Sequence, residues 1–139
     1  MTGSISVICV DDNALVADAL QIRLRLEGGF DVVGVLSSAD SLSEIAARLK
    51  PDVIVLDVDM PGKDSFTAVR ELAQSSPNTR VLMLSGHVRK ELVDRAFEVG
   101  AWGYVSKSGG TDSIIEAIRR VHNGEFAICP DVEAVTMRG

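Results

Sequence analysis

Residues 53–64 read VIVLDVDMPGKD. Val53 to Leu56 are aliphatic at every position and run without alternation into Asp57. A short strand that is apolar on both sides must be covered on both sides, which is the signature of a parallel sheet between two layers of helices. Pro61-Gly62 then breaks the chain into a loop, and Phe66, Val69, Leu72 and Ala73 follow at helical spacing up to Pro77. The stretch is therefore one strand–loop–helix unit with a carboxylate at the strand's end.

The same unit recurs outward in both directions. Upstream, Ile5 to Val10 stop at Asp11-Asp12. Asn13 is placed to cap a helix marked by Leu15, Ala19, Ile22 and Leu26, and Gly28-Gly29 end it. Phe30 to Leu36 give a second strand, and Leu42, Ile45, Ala46 and Leu49 a second helix closed before Pro51. Downstream, Val81 to Leu84 stop at Ser85-Gly86. Leu92, Ala96 and Val99 mark a helix ended by Gly100, Gly103 to Val105 a fifth strand, and Ile114, Ile115, Ile118 and Val121 a last helix closed by Asn123-Gly124. Five strands alternating with five helices predict an α/β fold, a doubly wound five-stranded parallel sheet in the order 2-1-3-4-5. Residues 1–125 form this one domain. Residues 126–139 carry no clear period and read as a tail or the start of a linker.

Bulk properties agree with one soluble-type domain. The chain has 139 residues, 46% hydrophobic and 24% charged, with a net charge of -6 that disfavours an extended phosphate-binding face. Its two cysteines, Cys9 and Cys129, lie in apolar stretches and make no disulfide framework, so a cytoplasmic location is the expectation. The opening MTGSISVICVDD lacks a signal-peptide layout, and no apolar run nears the roughly 20 residues of a membrane span.

The polar residues that interrupt this pattern share one location. Asp11 and Asp12 end the first strand, Asp57 the third and Ser85 the fourth, while Lys107 follows the fifth. Ligands of open α/β sheets bind beyond the carboxyl ends of the strands, at the switch point between strands one and three. Three carboxylates there repel: at about 4 Å and an effective dielectric near 20, each pair costs roughly 4 kcal/mol. The site must take up a proton or a cation, and hard oxygen ligands suit Mg2+. With that charge offset, Asp57 can act as a nucleophile toward phosphorus, and the Ser85 hydroxyl and Lys107 ammonium can hold phosphoryl oxygens. Singly, each of these residues reads more simply as a turn former, a cap or a solvated lysine; the set at four strand ends carries the argument.

VICVDD (7–12), VIVLDVDMPGKD (53–64), VLMLSG (81–86) and GYVSK (103–107) together resemble the receiver domain of two-component response regulators, the CheY-like family with its flavodoxin-like sheet. The resemblance covers about residues 5 to 125. It implies that Asp57 is the phosphoacceptor, that Asp11 and Asp12 bind Mg2+ with the backbone carbonyl of Asp59, that Ser85 contacts the phosphoryl group, that Tyr104 is an aromatic switch and that Lys107 is the family's lysine. It implies a phosphoacceptor switch rather than a turnover enzyme, served by a sensor histidine kinase or phosphotransfer protein, with dimerisation or partner docking through the face of helix four, strand five and helix five, or through helices one and five. Tyr104 would rotate into space vacated by Ser85. GAWGYVSKSGGTDSIIEAIRRVHNGE (100–125) is similar to NarL-type regulators, which continue into a LuxR-type helix-turn-helix domain. That module needs about 60 further residues, so this segment itself contacts no nucleic acid, nor a membrane.

Three positions depart from the common pattern. Ser108 stands where proline is usual after the lysine, Gly86 where alanine is common, and Asp59 adds a fourth carboxylate. Asp59 and His87 are candidates for tuning phosphoryl lifetime by shaping the access of water. Asp57-Val58-Asp59 also resembles the DxD pair of haloacid-dehalogenase-type phosphatases, but there the DxD lies on the first strand, whereas here the first strand carries the acidic pair. A non-phosphorylated interaction module would not need acids, hydroxyl and lysine together. A flavin domain would want a phosphate-cradling loop where this chain places acids.

Overall fold

The computed structural model describes residues 4–136. Its elements in chain order are β1 (Ile5–Val10), α1 (Ala14–Glu27), β2 (Phe30–Leu36), α2 (Leu42–Leu49), β3 (Val53–Asp57), α3 (Ser65–Ser75), β4 (Arg80–Ser85), α4 (Lys90–Glu98), β5 (Gly103–Ser106), α5 (Gly110–His122), β6 (Ala127–Ile128) and α6 (Pro130–Thr136). All neighbouring strands are parallel, in the order β2-β1-β3-β4-β5-β6. The doubly wound sheet expected from the sequence is present, with the chain reversing direction across the sheet between β1 and β3.

The continuous apolar runs end up where two-sided cover demands. Every residue of β3 is buried, as are the last four residues of β1 and the last five of β4. The helices on either side close with recognisable chemistry. Asn13 Oδ1 accepts from the amides of Leu15 and Val16 at 3.0 and 3.4 Å, and Asp64 Oδ2 accepts from Thr67 at 3.0 Å, so both caps satisfy amides that the first turn leaves without partners. Gly28 follows α1 at φ +79, a conformation that a Cβ would strain. Among the described residues no helix is long and apolar enough to cross a membrane.

Two expectations change. The sheet has six strands, not five: part of the stretch read as a tail forms β6, which pairs with β5 through Gly103↔Ala127 and Tyr104↔Ile128, and α6, which packs on β5 and α4. A two-residue strand and a seven-residue helix are too short for a hydrophobic period to show in the sequence, so they leave no signal until β5 offers them an edge. Residues 137–139 lie outside the described residues. The second change concerns the face of α1. Ala17, Leu20 and Leu24 are buried, whereas Leu15, Ile22 and Leu26, whose spacing marked the helix, are 82%, 59% and 78% exposed. Apolar residues ring this helix, so periodicity reveals a helix without choosing its inner stripe.

Candidate functional site

The site is built at the carboxyl ends of β1, β3, β4 and β5. Asp57 is the last residue of β3 and is 2% exposed, and Asp11 directly follows β1 and is 5% exposed. Asp12 is exposed at the rim. One carboxylate oxygen from each of Asp11, Asp12 and Asp57 lies within 4.8 Å of the other two. Lys107, in a single 3-10 turn after β5, places Nζ 3.1 Å from Asp11 Oδ2 and 3.3 Å from Asp57 Oδ2. The sequence brings these four groups together correctly because each sits where a parallel strand ends, and parallel strands end on one edge.

Backbone amides hold the acids in place. Asn13 N–H donates to Asp11 Oδ1 at 2.8 Å, and Asp59 N–H donates to Asp57 Oδ1 at 3.2 Å. Ser65, 2% exposed at the start of α3, donates its hydroxyl to the Asp57 carbonyl at 2.7 Å and so anchors the strand end. Sequence reasoning did not single out Ser65. Its only signal is a small hydroxyl residue directly after the capping Asp64, eight residues beyond the acid.

Electrostatics follow from burial. Burial, reinforced by the charge of Asp11, pushes the Asp57 carboxyl up to about 6, against the opposing pull of the Asp59 amide and of Lys107. For Lys107 burial works against the charged form, but the adjacent Asp11 and Asp57 carboxylates outweigh it and hold the ammonium above its ordinary value. One cation therefore serves two buried carboxylates, and the cluster remains short of positive charge. Asp11 Oδ2 is the one buried side-chain oxygen among the described residues without a hydrogen bond; the ammonium is within ion-pair distance of it but not in hydrogen-bonding geometry. A buried, incompletely satisfied carboxylate oxygen within a triad of carboxylates fits a small hard divalent cation. The exposed Asp59 side chain is not part of the triad.

Ser85 and Tyr104 meet at one backbone carbonyl. Ser85, fully buried, donates its hydroxyl to the His87 carbonyl at 2.5 Å and accepts from the His87 amide at 3.0 Å, closing a turn on itself. Tyr104 is already fully buried, and its hydroxyl donates to the same carbonyl at 3.4 Å. Its phenol is pushed up chiefly by burial. Ser108, in place of proline, supplies an amide that donates to Ser106 Oγ at 3.1 Å, and among the described residues no peptide bond is cis. Gly86 is exposed, with no atom within 4 Å of where a Cβ would stand. His87 and His122 are both exposed.

A family model described as "Response regulator receiver domain" matches residues 7–119. The chain is 34% identical over 128 residues to the response regulator GacA of Pseudomonas aeruginosa, covering 92% of this chain and 60% of that protein. It is 33% identical over 128 residues to the transcriptional regulatory protein DegU of Brevibacillus brevis, covering 92% of this chain and 54% of that one. The chain thus spans less than two thirds of these relatives. A crystal structure of a LuxR-family two-component response regulator from Aurantimonas superposes with a TM-score of 0.92 at 26% identity, over 98% of this chain and 97% of the other.

Proposed function

This chain belongs to the response regulator receiver family, and we propose that within it Asp57 is a working phosphoacceptor whose occupancy is sensed by Ser85 and held by Lys107. The observation that carries this reading is the placement of Lys107 Nζ within 3.3 Å of both Asp11 and Asp57 at the one sheet edge where three carboxylates converge. Such a cluster is poorly satisfied as it stands and well suited to a cation and a phosphoryl group together.

The chemistry is phosphoryl transfer. An oxygen of the Asp57 carboxylate attacks the phosphorus of a phosphohistidine on a sensor kinase or phosphotransfer protein. The new O–P bond forms as the P–N bond breaks, and the donor imidazole leaves with the electron pair. Mg2+, held by Asp11, Asp12 and Asp57 with the Asp59 carbonyl, would neutralise charge on the phosphoryl oxygens. Lys107 then exchanges its contact with Asp57 for one with the phosphoryl group. The added charge of nearly two units supplies a new acceptor for Ser85. When the Ser85 hydroxyl turns toward it, the His87 carbonyl loses one of its two donors and keeps only Tyr104. Because Ser85 and Tyr104 share one carbonyl, loss of the Ser85 bond carries the state of the acid to the loop before α4. This is the state-dependent contact that a population shift requires.

On this reading the chain is a switch, not a turnover enzyme, and works in the cytoplasm. Its output is transcriptional, through a DNA-binding module of the kind carried by longer LuxR-type regulators, with dimerisation on phosphorylation. Incubation with Mg2+ and acetyl phosphate, followed by intact mass, tests it. One phosphoryl adduct on the wild type and none on Asp57→Asn is expected. An adduct that persists in the variant would place the chemistry elsewhere.

A further inference from the structure

β5 lies between β4, which ends in Ser85, and β6. The approach of β6 is close enough to demand glycine at 103, where a Cβ would stand 2.8 Å from the Ala127 carbonyl and 2.6 Å from Leu82 Cδ1. The backbone ladder to β6 stops at Tyr104↔Ile128. Beyond it the buried amide of Ser106 donates not to backbone but to Cys129 Sγ at 3.4 Å. Ser106 is 3% exposed, and its hydroxyl accepts from Ser108 N–H at 3.1 Å and pairs with Ser108 Oγ at 2.7 Å. Lys107 is the residue between. The backbone on both sides of the phosphoryl-binding lysine is pinned by Ser106, and Ser106 is pinned by a thiol on the C-terminal arm. The arm is itself anchored: Ala127, Cys129 and Val132 are buried, Glu133 N–H closes the first turn of α6 on the Cys129 carbonyl at 2.9 Å, and Phe126 stacks on Trp102 at 4.8 Å.

We propose that the C-terminal arm formed by β6 and α6 positions Lys107 for phosphoryl capture, through the contact of Cys129 with Ser106, so that arm docking and occupancy of Asp57 strengthen one another. The proposal rests on the phosphoacceptor reading above. Undocking the arm strips the Ser106 amide of its buried acceptor, a loss that the 3-10 turn relieves by relaxing. An ammonium that must sit about 3 Å from two acids is sensitive to displacements of that kind. Coupling between two binding events is reciprocal, so whatever the docked arm contributes to phosphoryl retention, the phosphoryl group returns to arm docking. Cys129 is a positioning residue in this scheme, and its thiol is a built-in reporter of the arm.

The test uses the full chain in a Cys9→Ala background, so that Cys129 is the only thiol. Its labelling by 5,5'-dithiobis(2-nitrobenzoate) is timed with Mg2+ alone and with Mg2+ plus acetyl phosphate, with intact mass recording the adduct. Labelling is expected to slow about 5-fold or more on phosphorylation, the lower end of ordinary coupling. In the chain with Cys9 restored, Cys129→Ala is expected to slow acetyl phosphate transfer and Cys129→Ser, which keeps an acceptor, to recover most of it. A residue that merely filled space would be served as well by alanine as by serine. Val132→Asp, which releases α6, should act as Cys129→Ala does. Adduct formation with unchanged labelling, or equal transfer rates in the alanine and serine variants, overturns the inference and leaves the phosphoacceptor reading standing. Absence of an adduct on the wild type overturns both.

Discussion

Replacing Asp57 by asparagine should stabilise the metal-free protein. Asp57 is 2% exposed, and its carboxyl is raised from 3.8 to about 6, first by burial and then by Asp11. That difference of about 2 units corresponds to roughly 3 kcal/mol between the protonation states. For a carboxyl raised in the folded state, the native protein binds the proton more tightly. Stability therefore falls as pH rises from about 4 to about 6, and the full penalty is present above that window. Asparagine carries no charge to desolvate and can still accept the Asp59 amide, but it forgoes the pull of Lys107. Asp57→Asn is therefore expected to gain roughly 1–3 kcal/mol at pH 7.5 in EDTA, or several degrees in Tm for a chain of this size. The gap should close toward pH 4. Mg2+ should reverse the order by stabilising the wild type alone, and its affinity should fall about tenfold per pH unit below pH 6 as Asp57 takes up a proton. Urea denaturation followed by circular dichroism, with EDTA or Mg2+ across this pH range, measures all of it. A variant no more stable than the wild type in EDTA, or a gap independent of pH, would refute the argument that the buried acid is strained by its own charge.

Other consequences can be checked separately. Lys107→Met leaves Asp11 and Asp57 without their shared cation; stability at pH 7.5 in EDTA should fall by about 2–3 kcal/mol, toward the low end for a broken buried pair because the lysine side chain is 26% exposed, and an unchanged urea midpoint would count against the ion-pair assignment. Leu24→Ala should cost about 2–5 kcal/mol, whereas Leu15→Ala should stay within about 0.5 kcal/mol, since the first is fully buried and the second 82% exposed; equal effects would put the wrong face of α1 inward. Asp59→Asn and His87→Ala, both exposed, the first two residues past Asp57 and the second two past Ser85, should change the dephosphorylation rate several-fold, and unchanged decay in both would remove the idea that they shape the path of water.

The amino-acid sequence alone determined the first five strands of the parallel sheet and which polar residues meet at its edge. Val53 to Leu56 and Val81 to Leu84 are apolar without alternation, so they had to be strands buried on two faces, and strands so buried are parallel. Once they are parallel, Asp11, Asp57, Ser85 and Lys107 fall on one edge whatever the details of packing. Local patterning decided these points because each depends on a residue's position within its own strand. Tertiary contacts decided what depends on neighbours. Leu20 and Leu24, not Ile22 and Leu26, face the sheet, because α1 is apolar all round and only docking selects a stripe. The edge of β5 made a strand of Ala127–Ile128, which has too few residues to signal itself. Ser85 bonds to the His87 carbonyl and Tyr104 already lies inside, since hydroxyl direction and ring burial are set by a loop that folds back on them. The raised carboxyl of Asp57 also belongs to the folded state: the residue is an ordinary aspartate in the chain, and becomes reluctant to ionise only when β1 and β3 bring it out of water beside Asp11.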